Sequence, residues 1–153
     1  MDNRITYVHT NLIARDWKRL AQFYMDVFGC KPLYPERDLS GAWLDDVIGI
    51  AGAEIRGIHL RLPGYGKGGP TLEIFEYNKH TQGTGDPEIN QPGFSHIAFK
   101  VENVEEIRDK ILARGGSLVG ALVEKEIPGV GKIKVVYARD PEKNIIEIQK
   151  ITE

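Results

Sequence analysis

One cysteine, Cys30, stands among 153 residues. No disulfide can close within the chain, which fits a reducing compartment. Cys30 follows Gly29 at the end of an expected helix. No His or Asn pattern accompanies it to activate the thiol, so it reads as packing rather than as a nucleophile. An excess of either charge is also missing: 20 basic and 22 acidic residues leave a formal net charge of -2. That balance gives no electrostatic case for nucleic acid or for an anionic membrane as partner. Long apolar runs are absent too, and none approaches the ~18 residues of a membrane span. The opening Met1-Asp2-Asn3-Arg4 carries no apolar stretch of the secretory kind, so the sequence predicts no signal peptide and a cytoplasmic location. What is present is ordinary for a folded domain: 41% hydrophobic and 27% charged residues. The length suits one compact domain or two small modules.

The chain reads as two similar halves, 4–78 and 93–151. Each starts with a strand that contains a His, Ile5 to Thr10 in the first half and Phe94 to Val101 in the second. β-Branched and aromatic residues dominate both. A helix follows each strand. The first opens near Asp16, a good N-cap, and stops at Gly29. Leu20, Phe23, Tyr24, Val27 and Phe28 share one of its faces. The second begins after Asn103, with Glu106 three residues later as in a capping box, and runs to Gly115-Gly116.

Three more strands are expected in each half. They are Pro32–Arg37, Ile55–Leu62 and Thr71–Tyr77 in the first, and Leu118–Glu126, Lys132–Ala138 and Ile145–Ile151 in the second. Leu39–Gly52 is expected to include a short helical turn. Pro63-Gly64, Gly68-Gly69-Pro70, Pro128-Gly129 and Asp140-Pro141 mark turns. Asn78 to Pro92 reads as a polar linker. The order is β-α-β-β-β, twice.

The last strand of each half sets a Glu among apolar residues: Leu72-Glu73-Ile74 and Ile146-Glu147-Ile148. Neighbours in a strand point to opposite faces, so each carboxylate faces away from its apolar flanks. A buried carboxylate is costly unless it is paired or bound to metal. His9 and His96 lie 87 residues apart, and Glu73 and Glu147 lie 74 apart. The difference falls in loops. Two imidazoles and two carboxylates suit one Ni²⁺, Zn²⁺, Co²⁺, Mn²⁺ or Fe²⁺ better than Mg²⁺ or Ca²⁺, which prefer all-oxygen shells.

These features resemble the vicinal-oxygen-chelate superfamily, which includes glyoxalase I, methylmalonyl-CoA epimerase, fosfomycin- and bleomycin-resistance proteins and extradiol dioxygenases. The resemblance runs from Ile5 to Ile151. Its most specific parts are PGFSHIAFKVENVEEIRDKI and ARDPEKNIIEIQ. It implies an α+β fold in which paired βαβββ modules form a cup-shaped, eight-stranded mixed sheet around one metal. It implies His9, Glu73, His96 and Glu147 as ligands, a set similar to that of glyoxalase I. It further implies Glu147 as the base and Glu73 as its partner in moving a proton alpha to a carbonyl, with the metal stabilising an enediolate. A small-molecule substrate and a homodimer follow from the same resemblance. The activity implied is that of a metal-dependent lyase or isomerase. Epimerase-like chemistry and metal-free, bleomycin-resistance-like sequestration are the alternatives. The complete ligand set argues against sequestration. Three-ligand dioxygenase and fosfomycin-transferase patterns fit less well.

Other residues are ambiguous. His59 could touch substrate or, as the resemblance implies, replace the second carboxylate of the epimerase, although a surface or sheet-packing role is the commoner one for such a His. Trp43, Arg56, Arg61 and Arg139 could also reach a substrate, and Arg suits an anionic group. His80 is expected in solvent, and Glu76, Glu124 and Glu126 as exposed strand charges. The Gly64–Gly69 segment lacks the strand-loop-helix setting of a nucleotide phosphate loop.

Overall fold

A computed structural model describes residues 4–81, 83 and 85–152. The chain divides into two compact units, Met1–Gln82 and Gly83–Glu153. The boundary falls inside the expected linker. No helix among the described residues is long and apolar enough to cross a membrane.

The first unit contains β1 (His9–Ile13), α1 (Trp17–Phe28), β2 (Lys31–Ser40), α2 (Ala42–Ile48), β3 (Glu54–Arg61) and β4 (Thr71–Tyr77). Its sheet has the order β1-β4-β3-β2, with β1 parallel to β4 and the other pairs antiparallel. The second unit contains β5 (His96–Lys100), α3 (Val104–Ala113), β6 (Ser117–Leu118), β7 (Val123–Ile127), β8 (Gly131–Arg139) and β9 (Ile145–Thr152). Its order is β5-β9-β8-β6, with β7 also paired to β8. The class is α+β, and each unit repeats the same strand-helix-strand path.

Three of the four expected helix ends hold, and α3 stops at Ala113, short of Gly115-Gly116. Asp16 accepts a hydrogen bond from the Arg19 N–H at 3.0 Å, and Gly29 closes α1 in the left-handed region at φ 68°. Asn103 accepts from the Glu106 N–H at 3.0 Å. The Glu106 carboxylate pairs instead with Lys110 one turn on, at 2.8 Å. Leu20, Phe23, Tyr24, Val27 and Phe28 are buried as the spacing predicts.

Three expectations need correction. The first strand begins at His9, not Ile5. β1 pairs with β4 from His9 opposite Thr71, where β4 itself begins, so upstream residues run past the end of their partner strand. Ile5, Tyr7 and Val8 are accordingly exposed. The described strands number nine, in sheets of four and five, rather than eight in one sheet. The segment expected as Leu118–Glu126 splits because it advances from Leu118 to Val123 while its partner β8 recedes only from Ala138 to Val135. Two residues in excess are looped out around Gly120. β2 contains a similar two-residue excess between Leu33 and Arg37, where its partner β3 steps only from His59 to Gly57. Finally, Glu76 is not a free strand charge: its Oε2 accepts the Trp17 N–H at 3.2 Å and serves the first turn of α1.

The two faces of the first sheet are covered differently. Leu60, Leu72 and Ile74 are buried on the face that carries α1. On the other face Ile55 and Phe75 pack with Leu44 of α2 and Ala53. Beyond that patch, the same face carries polar groups.

Candidate metal centre

Strand register assembles this polar end row by row. His9 lies opposite Thr71, and Thr71 opposite Arg61. One row on, Asn11 lies opposite Glu73, and Glu73 opposite His59. Residues opposite one another share a face, as do residues two apart along a strand. His9, Asn11, His59, Arg61 and Glu73 therefore project to one side of the sheet.

Glu73 is the centre of the group and is 9% exposed. His59 Nε2 is 2.8 Å from its Oε2, Asn11 Nδ2 donates to its Oε1 at 2.8 Å, and His9 Nε2 is 3.6 Å from the same Oε1. These partners offset the desolvation that a buried carboxylate would otherwise suffer. Thr71 Oγ1 lies 3.2 Å from His59 Nδ1. The His9 and His59 rings meet edge to face at 5.7 Å, and His59 meets Phe75 in the same way at 5.9 Å. Burial pushes the His59 pKa below its ordinary value of 6.5, against the pull of the Glu73 carboxylate. His59 is therefore neutral near pH 7 and offers a nitrogen lone pair.

The second unit repeats the pattern. His96 lies opposite Ile145, and Ile145 opposite Arg139. Ala98 lies opposite Glu147, and Glu147 opposite Tyr137. Each His thus stands two residues off the Glu of its partner strand. His96 Nε2 is 3.0 Å from Glu147 Oε2, and the Tyr137 hydroxyl donates to the same oxygen at 3.1 Å. The His96 and Tyr137 rings meet edge to face at 5.2 Å. Ser95 Oγ lies 3.2 Å from His96 Nδ1. Burial, then the Glu147 charge, raises the Tyr137 pKa above its ordinary value of 10.

Of the four residues singled out as ligands, the structure brings His9 to Glu73 and His96 to Glu147, one pair in each unit. It also brings in Asn11 and Tyr137, which the sequence reading does not single out, and gives His59 a larger part than a packing role. Asn11 and Tyr137 touch the two carboxylates, and His59 pairs with Glu73 more closely than His9 does. The signal for Tyr137 was available: it occupies in the second repeat the register position that His59 holds in the first. Arg61 and Arg139 are likewise equivalent and lie in the rows of His9 and His96. Arg139 Nη1 donates to the Lys143 carbonyl at 3.1 Å. Arg56 is on the opposite sheet face, in the row of Glu76. Trp43 is exposed on α2, and His80 is exposed in the loop after β4.

A divalent ion fits the first unit by donor chemistry. His9, His59 and Glu73 present two imidazole nitrogens and a carboxylate oxygen, all within 4.8 Å of one another. That composition suits the later first-row divalent metals.

Comparison with known proteins agrees with the fold. Glyoxalase 1 of Caenorhabditis briggsae is 27% identical over 105 residues, and Glyoxalase 1 of Caenorhabditis elegans is 28% identical over 109. These alignments cover 67% and 70% of this chain but 34% and 36% of the relatives, so the chain spans about a third of their length. A glyoxalase family protein from Bacillus cereus superposes with a TM-score of 0.84 at 16% identity, covering 99% of this chain and 98% of that one. A genomically encoded fosfomycin resistance protein from Listeria monocytogenes gives a TM-score of 0.59 at 18% identity, covering 99% and 96%. The family model described as Glyoxalase/Bleomycin resistance protein/Dioxygenase superfamily matches residues 6–148, and the chain belongs to that superfamily.

Proposed function

We propose that the protein is a metal-dependent lyase or isomerase of the glyoxalase I kind, acting on a small 2-oxo or thioester substrate. One observation carries this reading. Both repeats place a His and a Glu at the same diagonal register position, and in both the pair is in contact range. A cup that only sequesters a ligand has no need of two such pairs. We take His9, Glu73, His96 and Glu147 as metal ligands. A homodimer is part of the same reading, as is location in the cytoplasm.

The bound ion would supply a Lewis acid for the charge that develops on a substrate oxygen. The chain supplies the proton chemistry. Glu147 is the base that takes the proton alpha to the carbonyl, and Glu73 is its partner on the return. The Tyr137 hydroxyl holds Glu147 Oε2 and orients the carboxylate. Arg61 and Arg139, one in each His row, are the cations placed to receive an anionic substrate group. Arg56 and Trp43 are weaker candidates because the one faces away from Glu73 and the other lies on α2. Epimerase-like chemistry would use the same carboxylates on an acyl thioester.

The test is elemental mass spectrometry of wild type and His9→Ala, followed by solvent-deuterium exchange into 2-oxo thiohemiacetals and acyl thioesters. Stoichiometric transition metal in wild type, lost in the variant, together with exchange abolished in Glu147→Gln, is the expected result. A wild type that takes up no metal after reconstitution with Ni²⁺, Co²⁺, Zn²⁺ or Mn²⁺ overturns the reading in favour of ligand sequestration.

A further inference from the structure

We infer that His59 is itself a metal ligand, so that the first unit offers an ion three donors, His9, His59 and Glu73. This rests on the metal-dependent reading above and deepens it. The three donor atoms already lie within 4.8 Å of one another. Ligands about 2.1 Å from a common ion stand roughly 3 to 4 Å apart, so little rearrangement is needed to reach coordination distances. His59 Nε2, at 2.8 Å from Glu73 Oε2, is nearer the carboxylate than His9 Nε2 is at 3.6 Å. Any ion held by Glu73 and His9 is therefore within reach of His59.

The imidazole is also supported as ligating imidazoles are. Its far nitrogen, Nδ1, has the Thr71 hydroxyl at 3.2 Å. A metal-bound His regularly donates its other N–H to such an oxygen, which fixes the tautomer and turns Nε2 toward the ion. Phe75 braces the ring edge to face. The oxygen and the ring contact come from two separate positions of β4, each fixed by sheet register.

The second repeat provides an internal control. Tyr137 stands at the equivalent position, opposite Glu147, as His59 stands opposite Glu73. A neutral phenol that donates its proton to the carboxylate is a poor ligand. The repeat therefore keeps the His and the Glu in both units and differs at the one position where imidazole adds a donor and phenol does not. The consequence is an asymmetry between the repeats: the first unit offers three donors, whereas Tyr137 engages Glu147 without adding one.

Two measurements test this. Histidine ¹⁵N spectra of wild type, titrated with Zn²⁺ under metal-free starting conditions, report each ring directly. The Nε2 resonance of His59 is expected to move with that of His9. Movement at His9 and His96 while His59 Nε2 stays unshifted overturns the proposal, and it does so without any variant having to fold. Zn²⁺ affinity by competition with a chromophoric chelator is the second measurement. Loss of an outer hydrogen-bond partner costs about 10- to 100-fold. His59→Gln is expected to weaken binding by more than about 100-fold, and Tyr137→Phe by about 10- to 100-fold at most. Equal effects of the two substitutions overturn the asymmetry. A wild type that binds no metal at all is a different result, and defeats the parent reading rather than this one.

Discussion

The two units have the same strand path and the same His–Glu diagonal, yet they are built to different standards. Counted from the caps Asp16 and Asn103, Tyr24 of α1 corresponds to Ile111 of α3, and both are fully buried. One residue earlier the helices part: Phe23 is 3% exposed, while its counterpart Lys110 is on the surface in an ion pair with Glu106. Seven residues of α1 are buried against two of α3. The second unit instead ties its helix to the sheet through Lys134, which reaches Glu105 at 2.7 Å and Glu124 at 3.4 Å. Such exposed pairs contribute little each. The register that sets the polar row is thus common to both units, while the depth of apolar support beneath it is not. Glu73, the carboxylate with more partners, belongs to the better-packed unit.

The largest expected effect breaks that contrast at its sharpest point. Phe23→Ala should destabilise the first unit by about 3–5 kcal/mol, the cost of a large core truncation with its cavity. At the equivalent position Lys110→Ala removes only an exposed i,i+4 pair and should cost about 0.5 kcal/mol or less. Urea unfolding of the two variants checks both. Similar losses would show that α3 supports its sheet as heavily as α1 does.

Somewhat smaller is the effect expected at Gly57, two residues before His59. A Cβ there would stand 2.0 Å from the Ile74 carbonyl oxygen and 2.6 Å from Phe75 Cδ1. The first obstacle is backbone and cannot turn aside. Gly57→Ala should therefore cost about 3 kcal/mol, at the upper end for overpacking. It should also weaken metal binding, because β3 can make room only by shifting His59 against Glu73. The register counterpart of Gly57 is Val135, opposite Gln149 rather than a Phe. Val135→Ala should leave both quantities nearly unchanged. Calorimetric Tm together with Zn²⁺ affinity separates the two positions.

This contrast also shows what was legible in the sequence. The helices were legible because capping and a 3.6-residue stripe are local signals, as at Asp16, Gly29 and Asn103. Glu73 and Glu147 stood out because a carboxylate inside an apolar strand is locally anomalous. His59 was ambiguous because its meaning depends on which β4 residue lies opposite. That pairing goes with the length of the 62–70 connection between β3 and β4, which strand alternation does not reveal. The start of β1 was misplaced for a related reason. Ile5, Tyr7 and Val8 have strand propensity, but a strand needs a partner, and β4 begins only at Thr71, opposite His9. Tyr137 went unnoticed because a Tyr in a strand is unremarkable until the repeat is aligned by register.

The subtlest way to sharpen the comparison is to titrate the two equivalent positions, His59 and Tyr137, in metal-free protein. Burial lowers the His59 pKa in the folded state. Below about pH 6.5 the unfolded chain takes up this proton before the folded one does, so folding loses stability as pH falls from 6.5 through the lower folded value. Tyr137 has the opposite sign. Its folded pKa is raised, and the unfolded phenol ionises first, so stability is retained below pH 10 and lost as pH rises through the folded value. Thermal unfolding across pH should therefore show an acid limb that flattens in His59→Gln and an alkaline limb that flattens in Tyr137→Phe. Each substitution should leave the other limb in place. Cys30 also contributes to the alkaline limb, since burial raises its thiol pKa to about 11, so the Tyr137→Phe comparison is best made in a Cys30→Ala background. An acid limb that survives His59→Gln intact would mean that the half-buried imidazole opposite Glu73 does not distinguish the two repeats electrostatically.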